Sequence, residues 1–140
     1  MAELKKQTIE KEFVPYDLAL ELKELGFKEE CFAFYGLSRD DYKTIRLSIF
    51  QNLKTDYLPD VHHLDVTCDA PTFSQAFRFF REKYGLHYII CKNIQMDGYG
   101  YREVILSPYM EENENTIFKT YEEAEVECLV KLIEICRKLK

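Results

Sequence analysis

The chain has 140 residues, 46% hydrophobic and 31% charged, with a formal net charge of −6. This length and balance fit a single globular domain, 1–140, large enough to bury a real core, with a polar first dozen residues that are frayed or helical. No apolar run reaches membrane-span length, the charged N-terminus MAELKKQTIEKEF lacks a signal peptide's apolar centre, and the acidic balance argues against nucleic-acid binding through clustered cations.

Leu18, Leu22 and Leu25 share one face of a helix expected over 15–25, and Gly26 suits its stop. CFAFY at 31–35 is a continuous apolar run consistent with a buried strand, and 36–41 reads as a turn. In 42–50, Ile45, Leu47 and Ile49 alternate with Thr44, Arg46 and Ser48, as in a strand with two unlike faces. The polar stretch 51–65, with Pro59 and paired histidines, is expected to be loop with a short extended piece at most.

The clearest element is 69–85, DAPTFSQAFRFFREKYG. At 100° per residue, Ala76, Phe77, Phe80 and Tyr84 fall within about 60° of Phe73, while Ser74, Gln75, Arg78, Arg81 and Glu82 take the opposite arc. Such a wide stripe belongs to a core-facing helix, and Phe79 alone lies outside it, placed to serve a surface. Thr72 and Gln75 have capping-box spacing, Asp69 is a competing cap one turn earlier, and Gly85 suits the left-handed stop.

Strands follow at 86–93 and 101–106, linked through an Asp97-Gly98 turn, with 111–116 as a surface loop. The last helix is expected from Thr120, in capping-box spacing with Glu123, to about Arg137. Its apolar positions cover roughly two-thirds of the circumference, so it lies between two layers or covers a partner. The element order α-β-β-α-β-β-α predicts an α+β domain with a small antiparallel sheet of about four strands packed against three helices.

Candidate chemistry is sparse. Carboxylate, imidazole and thiolate at Asp60, His62, His63, Asp65 and Cys68 are zinc-ligand types, but adjacent histidines on an extended chain point to opposite sides. A polar loop is the plainer account of them, and no metal or cofactor is expected. His87 and Cys91 share a strand face, where a core histidine beside a buried thiol is the plainer account than a catalytic dyad. Glu125 falls inside the apolar arc of the last helix, either as a perturbed carboxylate or as a first-turn acid favoured by the helix dipole. The five cysteines form no C-x-x-C pair and read as buried free thiols in a reducing compartment, which makes a cytoplasmic location the expectation. Tyr99, Tyr101 and Tyr109 gather near the second hairpin and suit a recognition surface or a strand edge.

The segments FVPYDLALELKELGF, CFAFY, APTFSQAFRFFREKYGL and TYEEAEVECLVKLI, about half of the chain, resemble small proteins of phage- and prophage-type gene sets in gut bacteria. The resemblance implies a bacterial intracellular setting linked to a mobile element, and it implies no catalytic residue. The expected function is therefore a non-catalytic module that binds a protein partner or itself as a homodimer, with Val126, Leu129, Val130, Ile133 and Phe79 as contact residues. The alternative is a small-molecule or metal-dependent enzyme built on the loop around His62, His63 and Cys68.

Overall fold

A computed structural model describes residues 10–38, 43–49, 64–105 and 117–139, with the side chains at 64 and 102–105 left aside. The class is α+β, as expected. Among the described residues there are three helices, α1 (Tyr16–Glu24), α2 (Phe73–Tyr84) and α3 (Tyr121–Leu139). The five described strands are β1 (Ala33–Ser38), β2 (Ile45–Ile49), β3 (Leu64–Ala70), β4 (Leu86–Asn93) and β5 (Gly98–Ile105). The single four-stranded sheet is corrected to two antiparallel sheets, one of three strands ordered β2-β1-β3 and one formed by β4 and β5. The chain divides into two compact units, Met1–Thr72 and Phe73–Lys140.

In the first unit, α1 buries Ala19 and Leu22 and ends in a Schellman motif. The Phe27 N–H donates to the Leu22 carbonyl at 3.0 Å and the Gly26 N–H to the Lys23 carbonyl at 3.1 Å. Gly26 has φ 100, a left-handed conformation that costs glycine nothing, and Leu22 and Phe27 bury the hydrophobic contact that accompanies this cap. β1 is central, and its run continues through Gly36 where a turn was expected, because both of its edges find partners. Ile45, Leu47 and Ile49 pair with Leu37, Tyr35 and Ala33 across the ladder, but the expected alternation holds only in part: Ile45 and Leu47 are half-buried around exposed Arg46, whereas Ile49 is exposed and Ser48 half-buried.

β3 corrects the helix start. Asp69 lies in this strand, opposite Phe34, rather than capping a helix. Its sequence, LDVTCDA, alternates apolar and polar residues, a strand signature that the neighbouring histidines and Asp-x-x-Thr spacing obscure. A bulge interrupts its pairing: Tyr35 faces Cys68 while Gly36 faces Val66, leaving Thr67 over. The Thr67 hydroxyl donates to the Tyr35 carbonyl at 3.0 Å, and Lys23 Nζ donates to the Thr67 carbonyl at 3.0 Å. The two bonds satisfy backbone groups that the bulge takes out of the ladder and tie α1 to β3.

In the second unit, α2 and α3 pack against each other and against the β4–β5 hairpin. Phe77 of α2 stacks on Tyr88 of β4 with ring centroids 3.7 Å apart. Two features of α2 depart from expectation. Gln75, placed on the polar arc, is buried, and so is Phe79, placed outside the core. These residues are four apart and therefore share a side of the helix, so α2 buries a second side beside its main stripe. The hairpin turn, 94–97, is closed by Asn93 Oδ1 accepting the Met96 N–H at 3.0 Å, with Asp97 at φ 48.

Gly98 begins β5 where the chain crosses a neighbour at close range. Phe118 pairs with Tyr99 on the outer edge of β5, each N–H donating to the other's carbonyl at 2.8 Å. A methyl group at Gly98 would overlap the Ile117 side chain and lie 2.8 Å from the Phe118 carbonyl oxygen. The residue is glycine because there is no room for anything else.

Candidate interaction site

The wide apolar arc of α3 is largely internal. Leu129 and Ile133 are fully buried, as are Ala124, Cys128, Leu132 and Cys136, because the helix packs on α2 and on both hairpin strands at once. Of the four α3 contact residues expected from sequence, only Val126 and Val130 remain half-exposed. Phe79 is 6% exposed, edge-on to Phe80 at 5.3 Å and Tyr84 at 5.8 Å, with Lys83 Nζ 5.4 Å above its ring. These neighbours occupy it as packing.

Around Val126 the surface is concave. An open groove of about 430 Å³ is lined by Phe118, Glu122, Glu123, Val126 and Glu127. Its apolar floor is positioned from two directions. Phe118 is held by its backbone pairing with Tyr99 and by ring stacking on buried Tyr101, centroids 6.0 Å apart. Val126 stands one turn into α3, whose start is fixed by a modified capping box. The Glu123 N–H donates to Thr120 Oγ1 at 3.2 Å, while the Glu123 carboxylate accepts from the N–H of Lys119, one residue earlier than the expected Thr120. The i, i+4 spacing of Glu123 with Glu127 and of Glu122 with Val126 puts three exposed carboxylates along the rim. First-turn acids also favour the helix N-terminus electrostatically.

Phe118, Glu122, Glu123 and Glu127 are not identifiable as a group from sequence. Phe118 follows a polar stretch of sequence, and only its pairing with Tyr99 brings it over α3. The site offers apolar contact framed by negative charge, the chemistry for an aliphatic or aromatic anchor with cations beside it.

Glu125 is half-buried and its charge is felt by two phenols. Burial first, then the neighbouring Tyr121 and Glu125, push the Tyr88 phenol up; burial and then Glu125 do the same at Tyr121. Tyr121 meets Tyr99 edge-on at 6.0 Å, and Tyr101 is buried. Tyr109 lies outside the described residues.

The metal reading meets a buried thiol. Cys68 is buried, and burial raises its pKa above the ordinary thiol value. His62 and His63 lie outside the described residues, and among the described residues no group of three or more His, Cys, Asp or Glu could hold a metal ion. The expected burial of every thiol is corrected at Cys91, which is exposed on the outward face of β4 because the pleat alternates it with inward Tyr88 and Ile90. His87, on that same outward face, is half-buried. All five cysteines are free, and no described helix is long and apolar enough to cross a membrane.

No protein family, curated protein or solved structure matches the chain.

Proposed function

We propose that this chain is a non-catalytic protein-interaction module that takes an apolar side chain of a protein segment into the groove of α3. One observation carries the reading: an apolar floor of Phe118 and Val126 stands open to solvent inside a rim of Glu122, Glu123 and Glu127. Its volume falls in the range of about 300–1,000 Å³ typical of ligand sites. The free cysteines and the phage-type sequence resemblance support a bacterial cytoplasmic setting on a mobile element.

Selection from a random peptide library tests the module, with Val126→Glu as the counter-target. The expected winners carry an aliphatic or aromatic anchor beside Lys or Arg and bind the variant about tenfold more weakly, or worse. A selection in which no enriched peptide distinguishes wild type from Val126→Glu overturns the reading.

A further inference from the structure

We infer that the occupant of the groove is the β4–β5 hairpin tip of a second copy of this chain, in a two-fold pair where each copy supplies one tip and one groove. The inference rests on the groove reading above and names its partner.

The tip is unusual for a turn. Turn residues are ordinarily small or polar, because they carry local backbone bonds and face water. Here Ile94 is 89% exposed and Met96 is 67% exposed, on a turn that is already closed by Asn93 and Asp97. Two large apolar side chains are thus presented on an ordered support, and the pre-formed turn limits the entropy lost when they are covered.

Tip and groove also lie at the same end of the second unit. The turn ends at Asp97, Gly98 abuts Ile117 and Phe118, and Tyr99 pairs with Phe118, which floors the groove. A two-fold axis beside that end carries each tip toward the other copy's groove, and the pair closes on itself. Were the two features on opposite ends, the same contact would propagate as an open filament. The tip also offers the rim one cation, beside the exposed Asp97 carboxylate. Lys92, at the base of the tip, lies 5.2 Å over the Tyr99 ring and is ion-paired to Asp97 only in an exposed geometry, at 3.4 Å. Exposed pairs of this kind hold little energy, so the ammonium can turn to the glutamate rim of the partner.

Affinity will be modest. Two tip contacts cover less than the roughly 1,200 Å² of a standard stable interface, and each copy carries a net charge of −6. The pair is therefore a concentration-dependent dimer.

Sedimentation velocity of the full chain in reductant, from about 10 μM to about 1 mM, tests it. Wild type is expected to shift from monomer to dimer, while Ile94→Ser/Met96→Ser and Val126→Glu each stay monomeric with unchanged circular dichroism and melting temperature. A wild type monomeric throughout, or two variants that both dimerise like wild type, overturns the inference. If the tip variant dimerises like wild type while Val126→Glu does not, the tip is refuted and the groove stands. If only the tip variant is affected, the tip docks outside the groove and the inference fails.

Discussion

The Tyr35 hydroxyl donates a 2.6 Å hydrogen bond to the carbonyl of Val14, joining the central strand of the first sheet to the segment that enters α1. The Tyr16 ring meets Tyr35 edge-on at 5.3 Å, and the Val14 N–H is taken by the Pro71 carbonyl at 2.9 Å. Both polar groups of a fully buried residue are thereby satisfied. Tyr35→Phe keeps the ring and strands the Val14 carbonyl, an expected cost of about 1–2 kcal/mol in urea denaturation.

The same phenol makes stability depend on alkaline pH. Burial pushes Tyr35 up from 10.0 to about 12, and burial with the nearby Asp69 and Glu29 pushes the Cys31 thiol from 9.0 to about 12. Both folded values are raised, so both groups contribute stability that is complete below pH 9 and is lost as pH climbs through about 12. Denaturation midpoints are expected to fall across that window, and less steeply in Tyr35→Phe or Cys31→Ala. Parallel slopes in wild type and variants would contradict this.

Gly98→Ala forces a methyl into the Ile117 side chain and against a backbone oxygen. Overpacking of this kind costs about 1–3 kcal/mol, seen as a lowered thermal midpoint, with Gly98→Val worse. The Tyr99–Phe118 pairing is the part displaced, so amide exchange at Tyr99 and Phe118 should rise more than in β3.

Removing the ring of Phe77 leaves a cavity against Tyr88, for an expected loss of about 3–5 kcal/mol by chemical denaturation. A second readout is spectroscopic. The Tyr88 phenol, raised chiefly by burial, should titrate closer to its ordinary value of 10.0 in Phe77→Ala, provided the variant is still folded.

Thiol labelling separates the cysteines. Cys91 is exposed, Cys68, Cys128 and Cys136 are buried, and the half-buried Cys31 is held protonated. One fast-reacting thiol per native chain is expected at neutral pH, abolished by Cys91→Ser. Two or more fast thiols in the native chain would contradict this placement.

What the sequence by itself determined is local. The α+β class, the stop of α1 at Gly26, the aromatic stripe of α2, its stop at Gly85 and the β4 span are all written in periodicity and end residues, which act within a few positions of the chain. The Thr120–Glu123 cap is equally local, and only its return bond moved by one residue. Tertiary structure decided everything that depends on partners distant in sequence. Gly36 is strand because two neighbours pair with β1, and Asp69 is strand because Phe34 lies opposite. Gln75 and Phe79 are buried on a side of α2 that its own amphipathicity assigns to solvent. The arc of α3 shows the limit most directly. Angular position could mark Val126, Leu129, Val130 and Ile133 as surplus to one core face, yet packing against α2 and the hairpin claimed Leu129 and Ile133 and left Val126 beside Phe118. Helical angle sets which residues can face inward together; how many layers are there to receive them is settled only when the chain has folded.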